Sequence, residues 1–517
     1  MASVLFSVGL GGVAMGVVKV VGAGVGLTLL YLLLSTLYNL LFHPLRHFPG
    51  PPLWRASRLP WVYHNSLGRL PFAVKALHDT YGPIVRIAPD ELSFIDGAAW
   101  KPIYGGTDST QLDRDEFIYP PENQRNLPNS IIHADHVAHA RIRRRLAYAF
   151  STKALESQEG LMFKHIDLLL SKLATAEGPV NMSDWFNFAS LDIIGDLALG
   201  ESLGCLEKGE YHPLAKHLIG AFKAGILMSS VNRFIPVAKL KFLLRRILPK
   251  KTLAQNKNFL LNLHEQVNKR MAIGVDSPRP DFISYMLAED KTGGSMTKMD
   301  IQANTAVFFI GGSESSASLM SGTLYHLLQT PSALARAVAE IRENFASADE
   351  IHYRTVSTLP YLLACMEEGL RVATPTPFGI CRRTKRPMEI AGVVVPGNTS
   401  VAVPQWAAFH SAKNWRRSEE FVPERWLPEG EEEFGGDKRE VFQPFGVGPR
   451  NCMGKSLAYV EMRILFARLL YTFDFSLPDN NTFVWSDQRA FISWQKLPFY
   501  VNVKTVNPPK IVGEKTA

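Results

Sequence analysis

Cysteine is scarce in this chain of 517 residues, which has four: Cys205, Cys365, Cys381 and Cys452. They lie far apart, and none belongs to a CxxC pair, which argues against a disulfide framework and against a structural zinc site. A reducing compartment is therefore the expected setting, and each cysteine has to be interpreted from its own neighbours.

Acidic residues are absent from the start of the chain, where the first is Asp79. This absence bears on the stretch KVVGAGVGLTLL (Lys19–Leu30), which contains the first two glycines of a dinucleotide-binding GxGxxG motif. Leu27 occupies the third glycine position, and no acid follows about 20 residues later to bind a ribose. The stretch is therefore not expected to bind a flavin or a nicotinamide cofactor.

Charge of either sign is absent from residues 20–42, a run long enough to cross a bilayer as a helix. Lys19 and the amino terminus are the only positive groups before it, whereas Arg46, Arg55 and Arg58 follow it. The positive-inside rule then places the rest of the chain in the cytoplasm. A cleaved signal peptide is disfavoured, because the run is long and the charges lie on the wrong side.

The uncharged run and the prolines near position 50, which prevent the membrane helix from continuing, divide the chain into four predicted segments. They are an N-terminal lumenal segment (1–19), a transmembrane anchor (20–42), a proline-rich hinge (43–52) and a catalytic domain (53–517).

A strong excess of positive charge is also lacking, since the net charge is +8. The densest cluster, RIRRR at Arg141–Arg145, is short and has no recognised nucleic-acid motif around it, so no nucleic-acid partner is expected. A basic face for an acidic protein or an anionic membrane, and ordinary solvated charge, both remain open.

The patterning of the body predicts a mainly α fold with minor β. Residues 81–96 have a turn between two short β-rich runs, and residues 388–404 again have strand and turn character. Residues 136–370 are mostly helical in pattern, and a last long helix is predicted from about 454 to 473, followed by hairpin-like strands.

The most informative stretch is FGVGPRNCMGKSLAYVEMR (Phe445–Arg463). Its glycines and proline exclude regular structure around Cys452, and a helical pattern starts directly after it. A thiolate in a glycine-rich loop at a helix N-terminus is a good nucleophile or a good iron ligand. A nucleophile would need a histidine base, and none lies nearby in the sequence; a merely buried cysteine is the remaining alternative.

Phe445, Gly448, Arg450, Cys452 and Gly454 match the haem-binding pattern FxxGxRxCxG, and the chain resembles the cytochromes P450. The resemblance extends over essentially the whole chain and implies a single haem domain behind one membrane helix. It implies that Cys452 is the axial thiolate and metal ligand of haem b, favouring O–O cleavage. Phe445 and Arg450 are then expected beside the haem.

Two further matches concern structure rather than chemistry. EEGLR supplies the family's ExxR pair as Glu368 and Arg371, and FVPERW supplies its partner, Arg425. The resemblance implies that these three residues form a buried network that holds the region of the haem loop. Solvated charged pairs at this spacing are common, so the pair alone would be a weak signal.

The stretch FFIGGSESSAS (Phe308–Ser318) aligns with the family's AGx[ED]T[TS] helix. The resemblance implies that Gly311 and Gly312 let the helix pass close to the haem, and that Glu314 and Ser315 relay protons. Gly311 replaces the usual alanine, and Ser315 replaces the usual threonine. A helix-capping or groove-lining cluster is the alternative interpretation.

Haem propionates need cations, and the resemblance indicates four residues that would bind them. HARIRRR supplies His139 and Arg143, PTPFGICRRT supplies Arg382, and the haem loop supplies Arg450. Arg383 is an alternative to Arg382, because the alignment of this stretch with the family's strand can shift by one residue.

The function implied is that of a microsomal enzyme of filamentous-fungal secondary metabolism. Such an enzyme hydroxylates or epoxidises an apolar small molecule with dioxygen and electrons from an NADPH–cytochrome P450 reductase. It is held in the lipid bilayer of the endoplasmic reticulum by a single span, with its catalytic domain in the cytoplasm. A redox-neutral isomerase or dehydratase, and a non-catalytic haem-binding membrane protein, are the alternatives.

The pocket is expected to draw on the helix before Gly311, on Thr376–Phe378 and on QRAFISW near the C-terminus. The segments at 117–130 and 232–251 are expected to flank its entrance.

Overall fold

The computed structural model describes residues 19, 22–106, 110–116, 118–119, 130–216, 225, 230, 250–275, 281–288 and 296–509. The segment predicted at 1–19 lies outside these residues except for Lys19, as do most of the predicted entrance segments at 117–130 and 232–251.

Helices make up most of the described chain, as predicted. The first eleven are α1 (Gly22–Phe42), α2 (Pro52–Ala56), α3 (Leu59–Ser66), α4 (Leu70–Tyr81), α5 (Trp100–Tyr104), α6 (His136–Leu146), α7 (Thr152–Ala174), α8 (Met182–Leu199), α9 (Cys205–Lys208), α10 (Pro213–Lys216) and α11 (Lys250–Ile273). The others are α12 (Phe282–Leu287), α13 (Lys298–Gln329), α14 (Pro331–Asn344), α15 (Pro360–Val372), α16 (Gln405–Phe409), α17 (Glu431–Phe434) and α18 (Lys455–Thr472).

Twelve short strands accompany the helices in the part of the chain that the structure describes. They are β1 (Ile84–Ala88), β2 (Glu91–Phe94), β3 (Asp113–Arg114), β4 (Val180–Asn181), β5 (Arg382–Arg383), β6 (Met388–Ile390), β7 (Val393–Val395), β8 (Ser400–Ala402), β9 (Phe473–Ser476), β10 (Arg489–Phe491), β11 (Ser493–Gln495) and β12 (Tyr500–Thr505). The largest sheet has the order β1-β2-β8-β5-β3, in which only β2 and β8 run parallel.

The helical core is built around α13, which has 32 residues. The helix begins where the Thr297 hydroxyl accepts a hydrogen bond from the Asp300 amide (3.1 Å), and it ends before Pro331. It packs along α8, a helix that is apolar around most of its circumference and is buried over nearly all its length. This arrangement fixes α13 as a rigid central support.

Helix α1 is long and apolar enough to cross a membrane, and its residues are not buried against the rest of the protein. Its described part begins at Gly22 and ends at Phe42, where the predicted anchor also ends. Pro52, the last residue of the predicted hinge, is the first residue of α2, a position at which proline is favoured because its missing N–H is not needed.

The predicted mainly α fold with minor β is confirmed. The two short strands expected at 81–96 are β1 and β2, and the last long helix, α18, begins and ends within one residue of the prediction. The strands expected after it include the β10–β11 hairpin.

Candidate active site

The loop before α18 holds Cys452 in a defined position. The Cys452 amide donates to the Phe445 carbonyl at 2.8 Å, which closes the loop. Gly446 and Gly448 have φ values of 67° and 78°, which favour glycine. A Cβ atom at Gly448 would lie 2.0 Å from the Tyr104 carbonyl oxygen, so only glycine allows this close approach.

Cys452 is the one exposed cysteine, whereas Cys205, Cys365 and Cys381 are buried. One side of Cys452 is open, but the atoms packed behind the sulfur are dense enough that burial raises the pKa of its thiol. The backbone N–H groups of Gly454 and Lys455 and the charge of Arg143 act in the opposite direction. A metal ion that binds such a thiol deprotonates it, so the loop suits a metal-bound thiolate better than a free nucleophile.

A cluster of three cations, Arg114, Arg382 and Arg450, lies beside this loop together with His139. Arg114 faces Arg382 across strands β3 and β5. Burial, and then Arg114 and Arg382, lower the pKa of Arg450 to about 9. Burial, and then the charges of Arg450 and Arg114, lower the pKa of His139 to about 3, so this imidazole is neutral at pH 7.

None of the three arginines forms an ion pair with a carboxylate in the described part of the chain, although the charges of Asp135 and Asp113 act on Arg450. In Arg114, Arg382 and Arg450, the Nε and Nη1 atoms are buried and have no hydrogen-bond partner in that part of the chain. Buried guanidinium groups are normally paired, so these unpaired donors indicate an anionic ligand. The two carboxylates of a haem beside Cys452 fit this set of donors.

Arg143, which is also predicted to bind a propionate, has hydrogen-bond partners of its own in the described chain. Its guanidinium donates to the Asn451 carbonyl at 2.8 Å and to the Asn451 side chain at 2.5 Å. It therefore holds the residue that precedes Cys452, and its charge favours the thiolate. The Phe445 ring packs at a tilt against the ring of Tyr459 on the first turns of α18, with centroids 5.1 Å apart.

The choice between Arg382 and Arg383 follows from their partners. Arg382 is 2% exposed and lies in the unpaired cluster. Arg383 donates instead to Asn398 at 2.9 Å, and it forms ion pairs with Asp90 at 3.2 Å and Asp115 at 3.3 Å. The structure therefore favours Arg382 for the haem.

We expect Arg382→Leu to speed haem loss, because a charge-assisted hydrogen bond contributes about 1.5–3 kcal/mol, or about 10- to 100-fold in affinity. The measurement is the rate of haem transfer to an excess of apomyoglobin. Arg383→Leu is the matched control, and its transfer rate should stay within about threefold of wild type, a difference of less than about 1 kcal/mol. Faster transfer in Arg383→Leu alone would assign the propionate contact to Arg383.

Helix α13 presents an accessible stripe at Val307, Gly311 and Ser315, each four residues after the last. A Cβ atom at Gly311 would meet no other atom within 4 Å, so this position opens onto space. Gly312 differs from the prediction, because a Cβ atom there would lie 2.6 Å from Ile194 of α8. Gly312 allows close helix packing, and only Gly311 opens space beside the helix.

The predicted acid–alcohol pair is divided between two faces of α13. The Ser315 hydroxyl lies on the accessible stripe and donates to the Gly311 carbonyl at 2.5 Å. Glu314 is 6% exposed and forms an ion pair with Lys496, with 2.6 Å between Oε2 and Nζ. Ser315 is thus placed to hold a proton near the open side, whereas Glu314 is tied to the C-terminal hairpin.

Helix α13 and the cysteine loop are joined by aromatic packing. The Phe150 ring lies 4.0 Å from a Cβ atom built at Gly454 and packs against Phe308 of α13, with ring centroids 5.4 Å apart. It also packs against Phe282, at 4.8 Å. Cys452 and α13 therefore border the same region.

Glu368 is the centre of a fully buried network, as the resemblance implies. Its carboxylate accepts two hydrogen bonds from Arg371, at 2.7 and 2.9 Å, and one from the Arg425 Nε at 3.4 Å. Arg425 also pairs with Asp437. Burial opposes the charge of Glu368, but Arg371, Arg425 and the Val422 amide together outweigh it and hold the pKa of Glu368 below its usual range.

Three residues of the site are absent from the sequence-based predictions. Arg114 belongs to no recognised motif, and only the pairing of β3 with β5 places it beside Arg382. Lys496 lies 182 residues from Glu314, and Phe150 has no sequence feature that distinguishes it from core aromatics. All three residues reach the site through contacts between segments that are distant in the sequence. A single sequence contains no signal for such contacts.

Comparisons with known proteins agree with this geometry. A family model described as Cytochrome P450 matches residues 48–503. The chain is 38% identical to Cytochrome P450 monooxygenase astA of Talaromyces wortmannii, over 92% of this chain and 96% of the relative. It is also 38% identical to Averantin hydroxylase of Dothistroma septosporum, over 93% and 90% of the two chains.

A solved structure, that of the cytochrome P450DA heme domain, shares the fold. It superposes with a TM-score of 0.73 over 89% of this chain and 98% of its own, at 21% sequence identity.

Proposed function

The chain belongs to the cytochrome P450 family, and from that premise we propose that it is a membrane-anchored monooxygenase of a fungal secondary pathway. It is a cytochrome P450 monooxygenase that uses haem with an axial cysteine thiolate, a small-molecule substrate, dioxygen and a redox partner.

The observation that carries the assignment of residues is the exposed Cys452 beside a buried cluster of unpaired cations. In this proposal Cys452 ligates the iron, and Arg382, Arg450 and His139, together with Arg114, bind the propionates. Bound haem supplies the activation of dioxygen, of which one atom enters the substrate and the other leaves as water. The protein contributes a fixed thiolate and the charges that hold the ring.

Proton supply is assigned to α13. The Ser315 Oγ holds a proton on the accessible stripe, where the absent side chain of Gly311 leaves space. Glu314 directly precedes Ser315 in the chain and is therefore the acid nearest to this hydroxyl in the sequence. A carboxylate near a hydroxyl can exchange protons with it through water, which is general acid–base chemistry.

Helix α1 and the arginines of α6 are assigned to membrane attachment and to the docking of the electron donor. Helix α1 spans the endoplasmic reticulum membrane, and the catalytic domain lies in the cytoplasm. Arg141 and Arg144 are exposed on α6, the helix that also carries Arg143 beside the cysteine loop. An acidic surface of NADPH–cytochrome P450 reductase is therefore expected to dock on this side of the molecule.

The substrate is expected to be an apolar small molecule that is hydroxylated or epoxidised. Averantin is the first compound to test, because two relatives, 38% and 39% identical to this chain, are named for averantin hydroxylation. The protein is incubated with reductase, NADPH, averantin and ¹⁸O₂, and the mass of the product is measured by mass spectrometry. Incorporation of one ¹⁸O atom per product molecule supports the proposal.

Two results would contradict the monooxygenase assignment. A rearranged or dehydrated product without ¹⁸O and without NADPH consumption would indicate redox-neutral chemistry. Absence of NADPH consumption with averantin and with a panel of other apolar aromatic compounds would indicate a haem-binding protein without this activity.

A further inference from the structure

Lys496 forms the closest contact that the Glu314 carboxylate makes in the described chain. Their side chains are 3% and 8% exposed, respectively, and the Lys496 Nζ also lies 3.4 Å from the Ser318 Oγ. Lys496 directly follows β11, and Ser318 lies one turn after Glu314 on α13. The pair therefore connects the C-terminal hairpin to the helix that carries the proposed proton route.

The position of the lysine is itself fixed by two contacts of β11. The Trp494 indole donates to the Thr374 carbonyl at 2.8 Å, and the Ser493 hydroxyl lies 3.3 Å from that of Ser318. Trp494 is 1% exposed, so its ring anchors the strand in the core. An ammonium held in this way defines the position of the carboxylate that it binds.

The pair also explains how the Glu314 carboxylate can be buried. A carboxylate with this little exposure is stable only when it is paired, because removal from water penalises the ionised form. Lys496 is the cation that compensates it, and Ser315, the next residue, lies on the accessible side of α13, about 100° around the helix.

We propose that Lys496 is a positioning residue, which holds the Glu314 carboxylate in place for proton delivery and couples that delivery to the C-terminal hairpin. The inference rests on the proposed monooxygenase function. Lys496 does not touch the reacting atoms, and its effect passes entirely through Glu314.

The functional test is a double-mutant cycle with Glu314→Gln, Lys496→Met and the double variant. The readout is NADPH-dependent oxygen consumption with reductase and no added substrate. Lys496→Met and Glu314→Gln should each lower the rate about tenfold, and the rate of the double variant should fall no further. Lys496→Arg, which keeps the charge, should recover at least about half of the wild-type rate, a loss of about 0.4 kcal/mol or less.

Additive losses in the double variant, or a normal rate in Lys496→Met, would overturn the proposal. Each variant is also checked for the red-shifted Soret band of its reduced carbon-monoxide complex, which separates loss of positioning from loss of the haem-thiolate centre. If wild type has this band but consumes no NADPH, the proposed function fails, and the chemical test below still decides whether the pair exists.

The chemical test needs no turnover. Reductive methylation of the purified protein is followed by mass spectrometry of Lys496, with the exposed Lys504 as the internal reference. We expect Lys496 to react at least about tenfold more slowly than Lys504 in wild type, and Glu314→Gln to remove most of this protection, because a lysine without its counter-charge turns to solvent. Equal reactivity of Lys496 and Lys504 in wild type would overturn the proposal.

Discussion

Glu368→Gln is expected to destabilise the protein by about 3–5 kcal/mol, because it leaves a buried positive charge without compensation. Two carboxylates, Glu368 and Asp437, balance Arg371 and Arg425 in a network whose side chains are at most 1% exposed. Glutamine keeps the shape of Glu368 but removes its charge and one of its acceptor oxygens. The measurement is urea unfolding followed by tryptophan fluorescence at pH 7.

The effect has a defined pH dependence. The pKa of Glu368 in the folded state lies below its ordinary value of 4.5, so its contribution to stability is present above about pH 4.5. That contribution is lost as the pH falls through the folded-state pKa, and the gap between wild type and Glu368→Gln should therefore narrow on acidification. A gap that widens in acid would contradict this account.

Glu156→Gln is the matched control for the same chemical change. Glu156 pairs with Arg354 at 2.9 Å on the surface, where water screens both charges. No measurable change in unfolding is expected for it. Equal effects at Glu156 and Glu368 would mean that the buried network is not important for stability.

Gly448→Ala is expected to abolish haem binding in most molecules. The added Cβ would lie 2.0 Å from the Tyr104 carbonyl oxygen, and φ at this position is 78°, so both the loop and the facing backbone would have to move. A clash and backbone strain of this kind cost about 3 kcal/mol or more, which corresponds to about 100-fold in the population of the correct loop. The measurement is the haem content per purified protein, from the ratio of Soret to protein absorbance.

Gly446→Ala separates the clash from the backbone conformation. Gly446 has a similar φ, 67°, but a Cβ atom there would meet no other atom within 4 Å. It should cost only about 1–2 kcal/mol of backbone strain and retain most of the haem. Similar haem loss in both variants would show that the contact with Tyr104 is not the decisive feature.

The cysteine loop is predictable from sequence because its residues lie in one short motif, whereas the network of Glu368 is predictable only through the resemblance to the cytochromes P450, since Arg425 lies 57 residues from Glu368. Gly448 and Cys452 are four residues apart, and Glu368 and Arg371 share one face of α15. The helix-rich fold follows from apolar periodicity in the same way. Local patterns of this type can be recognised without any knowledge of the tertiary structure.

The rest of the site depends on contacts that no local pattern encodes. Glu314 and Ser315 are adjacent in the chain, but the helix turns them to different sides, and only the C-terminal hairpin shows which partner Glu314 has. Gly312 looked equivalent to Gly311 in the sequence, yet Ile194 of α8 fills the space beside it. Arg114 joins the cation cluster through strand pairing alone.

The central claim, that Cys452 binds haem iron as a thiolate, is tested most directly by the absorption spectrum of the dithionite-reduced, carbon-monoxide-bound protein. Wild type should have the strongly red-shifted Soret band of a haem thiolate, and Cys452→Ser should lack it. A band at the position typical of a histidine or neutral thiol ligand in wild type, or the red-shifted band in Cys452→Ser, would contradict the claim.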